Sequence, residues 1–208
     1  MRRPTAILAM AVFVATAATG MTHTLPRERT VLVEMKRDAV DAMVVFQEPP
    51  GKAVQFLVGR FDFDDDDELT GAEAKAAAEE WAPRALQGLT FRVDGEALEA
   101  EPESVKFKRE HNGALSCAVL LSWGLDSLVP DATRRVSLER APDAADFTTL
   151  LRFQHAPDLT FTSTPGDAAA TDAPTVGPYH LRPGRRLGVE LESTDESSPR
   201  PELPTARP

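Results

Sequence analysis

Apolar and polar residues alternate with a period of two along much of this 208-residue chain, and Gly, Pro, Asp and Asn interrupt the alternation. This period places apolar side chains on one face of a strand, so it predicts strands that are buried on one side. The segments with this pattern are Thr30–Lys36, Ala39–Phe46, Leu89–Val93, Ala97–Glu101, Ser104–Arg109, Ala114–Trp123, Arg134–Arg140, Thr148–Gln154, Leu159–Ser163 and Leu187–Glu192. Short strands separated by turn residues predict an antiparallel β-sandwich.

The connections between these segments carry turn and loop signals. Arg37-Asp38 separates the first two segments, and Asp94-Gly95 is a typical two-residue hairpin turn. The Gly-, Pro- and Ala-rich stretch Thr164–Pro178 predicts a long loop. The last residues, Ser193–Pro208, have no apolar face, which is typical of a disordered tail.

The part of the chain between Phe46 and Leu89 follows a helical period instead. Apolar residues recur there at the spacing of one helix face in two runs, Val54, Leu57, Val58 and Phe61, then Ala74, Ala77, Ala78 and Trp81. Ala, Glu and Lys, which favour helix, are frequent in the second run. The sequence therefore predicts a mostly β fold with an inserted pair of helices. We expect Phe56 to pack on the sheet together with Val54, Leu57, Phe61 and Trp81.

A run of acidic residues lies between the two predicted helices. Six of the seven residues from Asp62 to Glu68 are acidic. When Asp62 is numbered as position 1, oxygen-bearing residues occupy positions 1, 3, 5, 7, 9 and 12, namely Asp62, Asp64, Asp66, Glu68, Thr70 and Glu73. Hard cations such as Ca²⁺ prefer six to eight oxygen ligands, and this spacing can supply them.

Residues 53–81 resemble an EF-hand, the calcium-binding helix–loop–helix family, in register, ligand types and both flanking helices. The resemblance implies one carboxylate oxygen from each of three aspartates, the main-chain carbonyl of Glu68, a water held by Thr70 and both oxygens of Glu73. It implies calcium rather than magnesium, because a bidentate glutamate in a flexible loop suits the larger ion. EF-hands usually occur in pairs, and no second loop is found. A lone hand must therefore pack against the sandwich or against another copy of the chain. Leu69, the apolar residue between the two halves of the loop, is expected to make that contact.

Position 6 departs from the family pattern. That position is usually Gly because the chain turns there with a positive φ, and here it is Asp67. Aspartate enters this conformation more readily than most residues, at a cost of about 1 kcal/mol. The alternative interpretation is a degenerate, solvated acidic loop that binds no ion.

The N-terminal residues 1–20 have the features of a secretory signal peptide. Arg2 and Arg3 precede an apolar stretch of about ten residues, and Ala18 and Gly20 suit a cut before Met21. The segment is too short for a typical membrane span, although an uncleaved N-terminal anchor is the alternative. We therefore expect a secreted or periplasmic protein with no membrane span after cleavage.

Charge and the remaining reactive residues narrow the function classes. The net charge is −10, which argues against binding to nucleic acid or to anionic membranes. The single Cys117 lies among apolar neighbours and predicts a buried thiol. The four histidines lack metal-ligand spacing, and no nucleophile motif occurs. The sequence predicts no catalytic residue and no organic cofactor.

These observations predict a signal peptide at residues 1–20, a β-sandwich domain at 21–192 with the EF-hand insertion at 53–88, and a tail at 193–208. The first functional hypothesis is a secreted calcium-binding protein in which the ion orders the loop for stability or for contact with a protein partner. The second is a non-catalytic interaction sandwich with a degenerate loop. A third, less favoured, is a hydrolase without a recognisable motif.

Overall fold

The structure is a computed structural model that describes residues 27–129, 132–143, 147–165 and 173–193. These residues form two β-sheets and two α-helices, which confirms the mostly β class with an α insertion. The elements are β1 (Arg27–Met35), β2 (Ala39–Glu48), α1 (Lys52–Phe61), α2 (Gly71–Leu86), β3 (Leu89–Val93), β4 (Glu96–Ala97), β5 (Ser104–Arg109), β6 (Leu115–Gly124), β7 (Thr133–Arg140), β8 (Phe147–His155), β9 (Leu159–Ser163), β10 (Thr175–His180) and β11 (Arg186–Ser193). The predicted signal peptide and the predicted tail beyond Ser193 lie outside the described residues.

The larger sheet has six strands in the order β10-β8-β1-β2-β6-β5, and the smaller has five in the order β4-β3-β7-β11-β9. In these described sheets, neighbouring strands are antiparallel except for β1 and β8, which are parallel. Parallel neighbours need a long crossover connection. Here the intervening chain passes through both helices and both sheets. The sandwich is confirmed, and its antiparallel pattern holds outside this one pair.

The core is formed by the inward faces of the two sheets. In β2 the buried apolar residues alternate with half-buried ones, as the period of two predicts. The buried side chains of the larger sheet include Val31, Val33, Val44, Phe46, Val119, Leu121, Leu151 and Phe153, and those of the smaller include Phe91, Val136, Leu138, Phe161, Val189 and Leu191. Full burial of each such side chain contributes about 1.5–3 kcal/mol, so this shared core is the main source of stability.

Two predictions for local structure are wrong. The segment Ala97–Glu101 is not a strand, because β4 ends at Ala97 and the chain then crosses from the smaller sheet to the larger. The predicted loop Thr164–Pro178 overlaps β10, which begins at Thr175 and pairs with β8 at the sheet edge. Most side chains of β10 are exposed, so its sequence shows no alternation. Its Gly177-Pro178 lies at a shift of register, where proline is tolerated.

The two helices predicted between β2 and β3 are present, and they are anchored in the same core. The buried residues of α1 are Val54, Leu57, Val58 and Phe61, and the buried apolar residues of α2 are Ala77, Trp81, Ala82 and Ala85. The α2 helix contacts β2, β5 and β6, and the rings of Trp81 and Phe46 are 6.0 Å apart. The expectation that Phe56 packs on the sheet is wrong: 67% of it is exposed, because it lies on the outer face of α1.

A buried arginine joins the end of α2 to the larger sheet. The Arg29 guanidinium donates hydrogen bonds to the carbonyl oxygens of Ala85 (3.0 Å) and Gln87 (2.8 Å), and to Thr149 Oγ1 (3.2–3.3 Å). The last carbonyls of a helix lack partners within the helix and carry partial negative charge, so a cation there is favourable. Arg29 thereby holds α2 against β1 and β8.

Candidate metal centre

The loop between the two helices begins at Asp62 and ends at Thr70. The Asp62 N–H still donates to Val58 O (2.8 Å), which closes the last turn of α1. Thr70 is the N-cap of α2, and Thr70 and Glu73 form a capping box there. Both ends of the loop are therefore held by helices whose apolar faces are fixed in the core.

The loop backbone turns through two aspartates with positive φ. Asp65 has φ +59° and Asp67 has φ +66°. Asp67 therefore has the positive φ expected at loop position 6, although it is not a glycine. Aspartate is one of the few non-glycine residues that enter this conformation readily.

Four carboxylates converge inside the loop. Each of Asp62, Asp64, Asp66 and Glu73 offers one carboxylate oxygen, and these four oxygens all lie within 4.8 Å of one another. Two oxygens bound to the same Ca²⁺ are at most about 5.2 Å apart, since each lies about 2.3–2.6 Å from the ion. The separations of the four oxygens are therefore compatible with one shared ion of this size.

Main-chain N–H groups orient the carboxylates of Asp62 and Glu73, as the N–H of Glu68 does for Asp66. Asp62 accepts hydrogen bonds from the N–H groups of Asp66 (3.2 Å) and Asp67 (2.9 Å). The two oxygens of Glu73 accept from the N–H groups of Phe63 (2.5 Å) and Thr70 (3.3 Å), respectively. An ionised carboxylate has about four lone-pair positions, so these bonds leave positions free to coordinate a cation.

Glu73 differs from the aspartates because it is buried, with 7% exposed. A buried carboxylate is costly unless charged or hydrogen-bonding groups compensate it. Its position in the first turn of α2 supplies some compensation, because the helix N-terminus carries partial positive charge. Because its side chain accepts hydrogen bonds from the N–H groups of both Phe63 and Thr70, it connects the beginning of the loop to the start of α2.

The cluster has strong negative charge and little neutralisation. Partial desolvation, together with repulsion from Asp66 and Glu73, raises the pKa of Asp64 above its usual value. Within the described ranges, no lysine or arginine forms an ion pair with any of the four cluster residues. A cation placed among the four carboxylates would relieve this repulsion.

The two other predicted ligands lie beside the cluster. Glu68 is exposed, and its N–H donates to Asp66 Oδ1 (2.8 Å). Thr70 is exposed at the start of α2. The carbonyl ligand from Glu68 and the water held by Thr70 stay predictions.

The loop lies beside β5 and the start of β6. Leu69 is buried, and with Phe107 and Leu115 it lines a cavity of about 230 Å³. Arg109, near the end of β5, forms an ion pair with Asp67. The loop thus packs against a sheet edge through one apolar residue and one ion pair. Sequence reasoning missed Arg109, because no local pattern indicates a partner 42 positions away.

The remaining reactive side chains have other environments. Cys117 is buried in β6 as predicted, and burial raises the pKa of its thiol to about 12. His155 packs its ring on Phe161 (4.6 Å between centroids), and its Nδ1 is 2.7 Å from the carbonyl oxygen of Ala156. Among the hydrogen bonds of the described residues, none joins a histidine to a serine hydroxyl or a carboxylate. His23 lies outside the described residues.

No protein-family model matches this chain, and no curated protein matches it. In the described part of the chain, no helix is both long enough and apolar enough to cross a membrane.

Proposed function

We propose that this protein is a secreted calcium-binding protein whose single EF-hand-like loop, Asp62–Glu73, holds one Ca²⁺ and is thereby locked onto the β-sandwich. The observation that carries the proposal is the convergence of four carboxylate oxygens within 4.8 Å, at loop positions 1, 3, 5 and 12. The positive φ of Asp67 supports the same loop geometry.

Calcium suits this donor set better than magnesium. Mg²⁺ demands near-ideal octahedral geometry at about 2.0–2.1 Å and usually keeps several waters. The loop instead offers three aspartates, of which Asp64 and Asp66 are exposed, and a glutamate with two oxygens, which suits a larger ion with six to eight oxygen ligands. Zinc and copper prefer nitrogen or sulfur ligands, and the cluster contains only carboxylates.

The ion stabilises the fold because its ligands come from both ends of the loop. Asp62 follows α1, and Glu73 belongs to the first turn of α2. Each helix is anchored in the core, so an ion bound only by the folded protein contributes RT ln(1 + [Ca²⁺]/Kd), about 1.4 kcal/mol at ten times Kd. An extracellular location, as the N-terminal sequence predicts, allows a Kd of about 10⁻⁴–10⁻³ M to suffice.

A matched pair of loop variants tests the proposal. Asp64→Asn removes a carboxylate from the cluster, whereas Asp65→Asn removes one from the next residue, which is not part of the cluster. Both variants change the net charge equally, and asparagine tolerates the positive φ of Asp65. Calorimetric titration with Ca²⁺ should give at least about tenfold weaker binding for Asp64→Asn, equal to about 1.4 kcal/mol, and almost unchanged binding for Asp65→Asn.

Glu73→Gln provides a second arm of the same titration, since it keeps the size of the side chain while removing the charge; its one carbonyl oxygen can accept from only one of the two N–H groups that Glu73 binds, those of Phe63 and Thr70. We expect binding of Ca²⁺ to be lost or strongly weakened. Equal affinity for Ca²⁺ in all three variants, or no binding heat and no rise in melting temperature for the wild type at millimolar Ca²⁺, would show that the acidic loop is only a solvated one.

Contact with a protein partner is a second role that one observation supports. Phe63, at the second loop position, is 68% exposed, and Phe56 on α1 is 67% exposed. Exposed apolar patches can mark interaction sites, and Phe63 belongs to the loop that we propose to bind the ion. Sedimentation velocity with and without Ca²⁺ tests self-association, and the double variant Phe56→Ser/Phe63→Ser should abolish any association that Ca²⁺ induces. Association that persists in the double variant would exclude these two side chains from the contact.

A further inference from the structure

The larger sheet has apolar residues on its outer face as well as on its inner one. The strands β8, β1, β2 and β6 bury every second side chain in the core and direct the others outward. The apolar residues of the outward set, all half-buried, are Leu32, Met43, Val45, Ala118, Leu120 and Leu150. Leu32, Met43 and Leu120 are register partners in one row across the strands, and the other three lie in the adjacent row, that of Thr30. These six residues therefore form one continuous surface, the outer apolar face.

The outer apolar face is separate from the core. None of its six residues belongs to the buried core or to the partly buried residues packed against it. The α2 helix reaches this sheet from the opposite side, where Trp81 packs on the inward-facing Phe46. A cavity of about 340 Å³ opens on the outer apolar face, with Leu32, Met43 and Leu120 in its lining. Continuous apolar surface on a protein of this kind can mark an interaction site.

The size of the sheet suits an interface between two copies of the chain. Its six strands have six to ten residues each. With strands about 4.8 Å apart and a rise of about 3.3 Å per residue, the face measures about 29 Å by 26 Å, or about 750 Å². Stable protein interfaces bury about 800 Å² per partner. A second copy that applies its own equivalent face therefore covers about the area that a stable dimer needs, whereas a small ligand leaves most of the apolar surface in water.

Two opposite charges at different borders of the same face favour a second copy as the occupant. Glu34 lies on β1, and Lys106, which is exposed, lies on β5 in register with Ala118. They are three strands apart across the sheet and four residues apart along it, which is about 20 Å. Glu34 accepts a hydrogen bond from Gln154 Nε2 (3.4 Å), but neither charge forms an ion pair within the described residues. The two charges cannot meet in one chain, but twofold symmetry between two chains can bring them together twice.

We propose that two copies of the chain form a symmetric dimer through their outer apolar faces, with Glu34 of each copy paired with Lys106 of the other. The twofold axis that exchanges these two positions runs at about 45° to the strands and passes near Met43. The strands of the two copies then cross at about 90°, which is one of the two usual arrangements of packed sheets. Leu32 of one copy lies over the row of Val45 and Ala118 of the other, so apolar residues meet apolar residues.

Reversal of the two charges tests this pairing. Glu34→Lys and Lys106→Glu each place like charges opposite each other twice in the dimer, and the double variant restores opposite charges. Glu79→Lys and Lys75→Glu are the matched controls, because both residues are exposed on α2, outside the outer apolar face. Sedimentation equilibrium of the purified protein in EDTA measures the dissociation constant of the dimer at one fixed salt concentration, because salt screens charges. Circular dichroism verifies that each variant is folded.

We expect a calcium-free dimer of the wild type with a dissociation constant of about 10 μM or below, since interfaces of this area extend from micromolar to tighter affinities. Each single reversal at Glu34 or Lys106 should weaken the dimer at least about tenfold, because two pairs change from attraction to repulsion. The double variant should return to within about threefold of the wild type, and the α2 controls should match it. This dimer persists in Phe56→Ser/Phe63→Ser, which separates it from association that Ca²⁺ induces. A wild type that stays monomeric at about 100 μM, well above that range, or a double reversal no stronger than the single ones, would overturn the proposal.

Discussion

Two neighbouring residues of α1 should respond very differently to truncation. Leu57 is 1% exposed and belongs to the core, whereas Phe56 is 67% exposed on the outer face of the same helix. Both positions are inside the helix, so the change to alanine favours the helix backbone by a similar, small amount. The difference between Leu57→Ala and Phe56→Ala therefore isolates the packing of α1 onto the sandwich.

The expected magnitude follows from burial and from the cavity left behind. Leu→Ala changes in cores cost about 2–5 kcal/mol, depending on how far the surroundings relax. Because α1 lies at the periphery of the core and contacts α2, it can relax in part. We expect about 2–3 kcal/mol for Leu57→Ala. Phe56→Ala should change the free energy of unfolding by less than about 0.5 kcal/mol, as is usual for exposed positions.

Urea denaturation followed by far-ultraviolet circular dichroism measures both variants, under one fixed calcium concentration, since bound ion shifts stability. Similar urea dependence of the unfolding free energy among the three proteins is needed for the comparison. A loss below about 0.5 kcal/mol for Leu57→Ala, or a larger loss for Phe56→Ala than for Leu57→Ala, would refute the docking of α1 described here.

Three further predictions concern a matched pair of glycines, the thiol of Cys117 and the acidic loop. Gly188→Ala should lower the free energy of unfolding by about 1–3 kcal/mol, because a Cβ there would lie 2.7 Å from the Ser137 Cβ and 2.8 Å from the Val136 carbonyl oxygen. Gly59→Ala in α1, whose Cβ would meet nothing within 4 Å, should instead stabilise by roughly 0.5–1 kcal/mol; equal urea midpoints for the two would contradict this. Cys117 should resist iodoacetamide at pH 8 until the protein unfolds, because burial raises its pKa to about 12; rapid labelling of native protein, detected by mass spectrometry, would disprove its burial. Calorimetry should show that Ca²⁺ affinity falls as the pH is lowered to about 4, because protons compete with the ion at Asp64, whose pKa is raised; a constant affinity would exclude Asp64 as a ligand.

Much of the strand arrangement could be predicted where one face of a strand is buried. The bounds of β3, β5 and β9 agree with the sequence prediction. β10 was missed because it is held at the sheet edge by main-chain pairing, which leaves no side-chain pattern. The parallel pairing of β1 with β8 joins segments about 120 residues apart, as in Val31 and Leu151, and no local signal predicts it.

The candidate site follows from local spacing to a greater extent than the fold does. Asp62, Asp64 and Asp66 are two residues apart in one short loop, so their convergence is a local property. The exposed position of Phe56 agrees with the helical period, because Phe56 lies on the face opposite Val54, Leu57, Val58 and Phe61; the contrary expectation rested only on its apolar side chain. The role of Arg29 was also not predicted. The alternation of β1 places Arg29 on the buried face of the strand, but the carbonyl oxygens that accept its hydrogen bonds come from the end of α2, which is distant in sequence.

A crystal structure determined in the presence of millimolar Ca²⁺ tests the central claim most directly. We predict one ion among Asp62, Asp64, Asp66 and Glu73, with oxygen distances of about 2.3–2.6 Å, and with the Glu68 carbonyl oxygen and a water held by Thr70 completing the shell. Anomalous scattering from the ion identifies it independently of the distances. A loop without an ion, in which the side chain of Glu73 points away from the three aspartates, would contradict the account.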